Sequence, residues 1–342
     1  MKTNIMREFP VFDTSIQNQA LLNEFKGNLF EYLVGNGLAK NYGLEGQFAR
    51  DFNGGLRAQL KEYELWLRQN GPEILRQLPE LAKATGLQLE KVLERGPLAI
   101  KVTGKLGQVT FKEMDLAYET PNGLTPISLK LCKERSYVNT KSAGIRSFIS
   151  KYFEAFERAG MWQKDLNLLL DVSYQQLTDE LYDRVEMAPD RQFKNWPLSH
   201  LPGQLPEELR PLLFAHYTRV VKKIYQAFTF FLESDRELFK SCLLPLMGFG
   251  LENMVQATCY HGSDGGQDYQ LKSVSIRRHN EVKEKLDGLI LRPLKDGISS
   301  FEFELEGLLF QIRVKPMNKF TSPALKINCS LREVTVKEKR EL

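Results

Sequence analysis

The sequence predicts an α/β fold: a mixed β-sheet flanked by helices, with added helical segments and a β-rich C-terminal part. Three observations carry that expectation. Apolar residues recur at helical spacing from Gln17 to about Leu38. Past Leu98 the composition shifts, and "LAIKVTGKLGQVTFKEMDLAYE" and "LTPISLKLCK" become rich in alternating and β-branched residues broken by Gly and Asn-Gly. The last part, Tyr269 to Val336, returns to strand-like patterning after a long helical stretch.

In chain order, "QNQALLNEFKGNLFEYLVGNGL" reads as an amphipathic helix. Leu21, Leu22, Phe25, Leu29, Tyr32 and Leu33 form its apolar stripe, and Gly35 begins its exit. Helical patterns continue through "RAQLKEYELWLRQ" and "GPEILRQLPELAKATG". After the two strand-like runs, "SAGIRSFISKYFEAFERAG" (142–160) regains helical spacing, and "PEELRPLLFAHYTRVVKKIYQAFTFFLES" is the clearest long helix. The stretch 191–209, "RQFKNWPLSHLPGQLPEEL", is the most linker-like. It divides an N-terminal part, 1–190, from a helical and β-rich part, 191–342, unless the final strands join the first sheet in one continuous domain.

Composition narrows the class. The 342 residues are 42% hydrophobic and 26% charged, as in a globular chain. No apolar run reaches the roughly 20 residues of a spanning helix. "MKTNIMREFPVFDTS" lacks the apolar centre and small-residue cleavage site of a secretory leader, so no membrane association and a cytoplasmic location are expected. Cys132, Cys242, Cys259 and Cys329 are scattered without a CxxC pair, as expected of buried or reduced thiols. His200, His216, His261 and His279 show neither HxH nor HExxH spacing. "CYHGSDGGQDY" reads as a structural turn. The net charge of +4 permits a polyanionic partner without requiring one.

The residues that point to chemistry lie in "FKEMDLAYETPNGLTPISLKLCK", 111–133. Asn122-Gly123 signals a hairpin turn. A loop of those two residues sets Asp115 opposite Lys130; a loop of Pro121-Asn122 sets it opposite Ser128. Both registers gather Asp115, Ser128 and Lys130 on one face, joined by Glu113 and Ala117, because the strand period is two. Ile127, Leu129 and Leu131 then point the other way into a core. Pro126 cannot donate to a ladder, which suggests that the second strand starts only at Ile127.

A helix with an inward glutamate, a strand with Asp, a tight turn, a strand with x-Lys and then a helix together resemble the PD-(D/E)xK nuclease superfamily, and most of all its type II restriction endonucleases. The resemblance covers roughly residues 20 to 155. It implies a restriction-endonuclease-like core in which Asp115 ligates Mg2+ and Lys130 sits beside the attacking water. Glu31, in "KGNLFEYLVG", matches the helix glutamate as a second metal ligand better than Glu24 does. Two departures stand out: Ser128 occupies the usual acidic position, and Met114 replaces the proline before the aspartate. The chemistry is consistent, since a hard cation on carboxylates activates water and neutralises a phosphate, while a lysine adds positive charge where negative charge develops.

The resemblance further implies a Mg2+-dependent, sequence-specific endonuclease acting on double-stranded DNA as a homodimer. Candidate DNA contacts follow from basic segments. After the hairpin, Lys133, Arg135, Asn139, Lys141 and Arg146 form what reads as a loop opening a helix, suited to phosphate. "SIRRHNEVKEK" offers Arg277 and Arg278. "FQIRVKPMNKFTSPALKINCS" places Arg313, Lys315 and Lys319 on a basic β-ribbon able to enter a major groove. Two other functions fit the same residues. One is a structure-specific repair, recombination or phage-defence nuclease. The other is a DNA-binding protein that keeps the fold without cleaving.

Overall fold

The computed structural model describes residues 15–50, 55–103, 114–196, 205–262, 269–316 and 320–334. Four helices open the chain: α1 (Ser15–Asn41), α2 (Glu45–Arg50), α3 (Leu56–Asn70) and α4 (Pro72–Glu90). The expected exit of α1 at Gly35 is corrected, because the helix runs through it. A Cβ at Gly35 would stand 2.8 Å from Phe48 Cζ and 2.9 Å from Leu116 Cδ2. This glycine therefore serves the close approach of α1 to α2 and the sheet. The helix stops where Gly43 takes φ +69°. There Leu44 N–H donates to Ala39 O (2.8 Å) and Gly43 N–H to Lys40 O (3.2 Å), a Schellman closure. The buried stripe is also rotated from the expected one: Phe30, Val34 and Leu38 are buried with Leu29, whereas Leu21 is exposed. Gly35→Ala is expected to destabilise by about 1–3 kcal/mol through overpacking, read as a lower urea midpoint.

Two five-stranded sheets follow. Strands β1 (Ala99–Val102), β2 (Leu116–Thr120) and β3 (Gly123–Lys133) form an antiparallel meander. β4 (Val138–Gly144) leaves for the second sheet. The chain then runs through α5 (Phe148–Tyr152), α6 (Ala159–Arg184), α7 (Arg210–Ser234) and α8 (Arg236–Leu246). It returns as β5 (Val255–His261), parallel to β3, and β6 (Leu271–Arg278), antiparallel to β5. The first sheet thus has the order β1-β2-β3-β5-β6 and is mixed. After α9 (His279–Lys285) come β7 (Ile290–Leu291), β8 (Ser300–Leu305), β9 (Leu308–Pro316) and β10 (Leu325–Glu333). With β4 they make an antiparallel sheet of order β4-β10-β9-β8-β7. Each sheet therefore takes strands from both sides of the 191–209 stretch.

The mixed α/β architecture matches the sequence expectation in its coarse form. Two local readings are corrected. Residues 142–144 belong to β4, so helix forms only from Phe148 and again from Ala159 within the 142–160 stretch. "CYH" ends β5 and is not a turn; Asp264 and Asp268 lie outside the described residues. Cys132, Cys242, Cys259 and Cys329 are free, two of them buried.

Two cores hold these layers. One packs α1, α3 and α4 on the face of the first sheet that carries Leu116, Tyr118, Ile127, Leu129, Ala257 and Cys259. The other joins α5–α8 to the second sheet and also takes Met114 and Ala117 from the first. Among the described residues no helix is long and apolar enough to cross a membrane.

Candidate functional site

The hairpin turn settles the position of Asp115. Leu116 pairs with Ile127 and Thr120 with Gly123, so the loop is Pro121-Asn122, and Asp115, just before β2, has its carboxylate beside Ser128. Proline explains the choice: its φ, locked near −65°, cannot meet the positive φ of a primed turn but suits the first corner of a type I or II turn. Glu94 holds the turn from outside, accepting from Thr120 Oγ1 (2.9 Å) and Asn122 Nδ2. The expected start of β3 at Ile127 is corrected, since the strand begins at Gly123 and includes Pro126. β5 pairs with β3 only from Ile127 onward, so no ladder bond on that side is asked of Pro126.

Asp115 is held on both sides by backbone. Its N–H donates to Ile127 O (2.8 Å), and its carbonyl accepts from Thr103 N–H (3.0 Å). The carboxylate Oδ2 gathers three donors: Leu129 N–H at 2.6 Å, Ser128 Oγ at 3.2 Å and Lys130 Nζ at 3.3 Å. Oδ1 accepts no hydrogen bond among the described residues and remains available to a ligand. The aspartate and lysine side chains are 23% and 24% exposed, so they meet at a partly desolvated but accessible place. Glu113 lies outside the described residues.

Glu31 reaches the same field from α1. Burial works to lower the Lys130 pKa, but the negative charges of Asp115 and Glu31 outweigh it and hold the ammonium above the ordinary lysine range. Lys130 is therefore a cation throughout the neutral range, fitted to stabilise charge and orient water but not to accept a proton. Glu24, seven residues earlier on nearly the same face of α1, is exposed. Two further groups border the site. Buried Lys26 has its pKa lowered chiefly by burial, and its ammonium lies 5.9 Å from the Tyr269 ring centroid. Burial pushes the Cys132 thiol up to about 11.

Among the described residues no group of three or more His, Cys, Asp or Glu side chains could hold a metal ion. A cation here would rest on Asp115 Oδ1 and Glu31, with water and substrate oxygens completing its shell.

Sequence reasoning missed a neighbouring row. On β5, Gln256 is the register partner of Ser128 and Thr258 that of Lys130, so both lie on the same face as the site. Both are fully buried, and among the described residues neither amide atom of Gln256 nor the Thr258 hydroxyl has a hydrogen-bond partner. The signal was present in "VQATCYH", where polar Gln256 and Thr258 alternate with apolar residues.

The expected DNA contacts divide. Lys133 is exposed at the end of β3, Arg135 in the turn that follows, and Asn139 on β4. The expectation that this segment, with Lys141, forms a loop at a helix N-terminus is corrected: Asn139 and Lys141 lie on an edge strand of the second sheet. Arg146 is exposed and ion-paired with Asp171 at 2.5 Å. Arg277 is corrected outright, because its side chain is 8% exposed and paired with Glu333 at 2.5 Å. Arg278 is exposed and donates to Val92 O at 3.1 Å. Arg313 and Lys315 share the exposed face of β9 as expected. Their strand, however, lies between β8 and β10, so they belong to a broad sheet face and not to a free ribbon. Opposite them on β10 stand Asn328 and Lys326. Among the described residues Arg313, Lys315 and Lys326 form no ion pair, and burial together with the Arg313 charge lowers the Lys315 pKa. Lys319 lies outside the described residues.

Comparison with protein-family models, curated proteins and solved structures finds no match for this chain.

Proposed function

We propose that the chain is a Mg2+-dependent DNA endonuclease with a restriction-endonuclease-like core, cutting double-stranded DNA at a specific sequence. The observation that carries this reading is the Asp115 carboxylate. One oxygen is tied to Ser128, Leu129 and Lys130 while the other accepts no hydrogen bond among the described residues, with Glu31 acting on the same lysine. The donor set fits a small hard cation, which takes one or two carboxylates and keeps several waters. When bound, Mg2+ would supply an acidified water and neutralise charge on the scissile phosphate.

The chain's own residues do the rest. Leu129 N–H and Ser128 Oγ hold Oδ2 and so fix the orientation of the Asp115 carboxylate. Lys130 places a permanent positive charge beside it, where negative charge grows on a phosphate undergoing attack. Glu31 adds negative charge from α1 and supports a divalent ion at a site that already contains a lysine. The face of the second sheet with Arg313, Lys315 and Lys326 suits the phosphate backbone, as do Lys133 and Arg135 beyond the catalytic strand. A duplex has two antiparallel strands, so a two-fold homodimer with one site per subunit is the economical way to cut both.

The test is digestion of plasmid DNA by the purified chain with Mg2+, which should yield discrete fragments. A smear, or cutting confined to branched or free-ended substrates, would favour a structure-specific nuclease. A DNA-binding protein without cleavage is the second reading, favoured by Ser128, a hydroxyl where a carboxylate would strengthen the site. Metal-independent binding with no cutting would support it.

The contact surface has its own check. Arg313→Ala and Lys315→Ala should each reduce the slope of log affinity against log salt by about 1. Arg277→Ala should leave that slope unchanged while lowering the unfolding midpoint, because it removes a buried side chain together with its pair to Glu333. Equal slopes in all three variants would remove the second sheet from the proposed interface.

A further inference from the structure

We propose that Gln256 is a positioning residue of this site: its side-chain amide, reaching from the strand beside Ser128, supplies the oxygen that orders the water shell of the bound cation. The inference rests on the nuclease reading of Asp115.

Placement comes first. Ser128 links the two sides: its Oγ donates to Asp115 Oδ2 (3.2 Å), and it is the register partner of Gln256 on the neighbouring strand. Lys130 and Thr258 form the next row. Partners in register point to the same face, so Gln256 flanks Ser128 on the side opposite Asp115.

Chemistry comes second. Gln256 is 0% exposed, yet among the described residues neither its Nε2 nor its Oε1 has a hydrogen-bond partner. The Thr258 hydroxyl and Arg277 Nη1 are also buried and without a hydrogen-bond partner among the described residues, and both residues neighbour Gln256 on the same sheet face. Leaving a buried polar group unsatisfied costs about 1–3 kcal/mol. Several such atoms together mark a place that receives polar guests.

Room for the amide is also built in. A Cβ on Gly248 would stand 3.1 Å from Gln256 Nε2 and 3.4 Å from Thr140 Cβ. Any larger residue there would press on the side chain.

The need for a neutral oxygen follows from the acid count. With no cluster of three candidate ligands among the described residues, the cation must fill its shell from water and uncharged oxygens. An amide oxygen serves a hard cation directly or through a bound water.

The experiment uses Mn2+, a paramagnetic stand-in for Mg2+, titrated without DNA and followed by the electron-spin resonance of the free ion. Wild type, Gln256→Met, Gln256→Glu and Asp115→Asn are compared, each also unfolded by urea in the absence of metal. Gln256→Met is expected to bind Mn2+ about 10-fold more weakly. Its urea midpoint should be unchanged or higher, because an apolar chain of equal length replaces an unsatisfied amide. Gln256→Glu should bind more tightly than wild type, since a negative charge is added beside Ser128. Unchanged affinity in Gln256→Met, with a loss in Asp115→Asn, overturns the role of Gln256 and leaves the nuclease site standing. Wild-type affinity in Asp115→Asn overturns the site itself. If Gln256→Met loses stability as well as Mn2+ binding, Gln256→Glu decides: tighter binding supports the proposal, and equal or weaker binding overturns it.

Discussion

Asp115→Asn and Lys130→Met should each lower Mg2+-dependent DNA cleavage by about 10²- to 10⁴-fold while leaving the urea unfolding midpoint close to that of the parent. Asparagine keeps one oxygen able to accept the 2.6 Å bond from Leu129 N–H, so the local backbone has no reason to move. What disappears is the negative charge that a cation needs, together with the attraction that draws Lys130 to within 3.3 Å. Methionine at 130 keeps the length of the stem and loses only the ammonium. The pH dependence separates an orienting lysine from a proton-accepting one. The Lys130 pKa is raised in the folded protein, so its contribution is complete below the ordinary lysine value and fades only as pH climbs through the raised one. Cleavage by the parent should therefore show no descending limb from this residue between about pH 7 and 9. If both variants cut as fast as the parent, Asp115 and Lys130 are not the site. A lysine-dependent limb near neutrality would instead make Lys130 a base.

How much of this was legible in the sequence depended on the range of the interactions involved. The hairpin face was readable because it follows from a two-residue period and a turn, both local. Of the two registers left open, the structure takes the one that proline's fixed φ favours over the stronger-looking Asn122-Gly123 signal. Gly35 was misread because a helix-terminating glycine and a close-packed glycine look alike until Phe48 and Leu116 are brought against it. Strand β4 was hidden because Val138–Gly144 owes its extended form to pairing with β10, nearly two hundred residues later. Arg277 looked like half of a basic pair, and only Glu333 on β10 reveals it as an internal ion pair. Gln256 escaped for the same reason: its neighbour Ser128 is brought beside it by a parallel pairing that local patterning cannot announce.

That long parallel crossover makes the second large prediction, Phe228→Ala, a test of how the molecule holds together. Phe228 on α7 is fully buried. Its ring centroid lies 4.8 Å from that of Phe153, 5.6 Å from Phe239, 5.4 Å from Phe301 and 5.9 Å from Phe303. These rings belong to the segment after α5, to α8 and to β8, so one side chain ties the helical layer to the second sheet. Truncation removes the ring and leaves a cavity among partners too large to close over it, an expected loss of about 3–5 kcal/mol. The consequence should extend beyond that layer. The chain between β3 and β5 passes through β4 and α5–α8, and Met114 and Ala117 of the first sheet pack into the same core. Unfolding should therefore stay a single transition, with Trp66 on α3 reporting the same lowered midpoint as the far-ultraviolet helix signal once Trp162 and Trp196 are replaced by Phe in both parent and variant. A Trp66 transition that keeps the parent's midpoint while the helix signal falls earlier would mean that the first sheet and its helices hold the Asp115 site independently of the second.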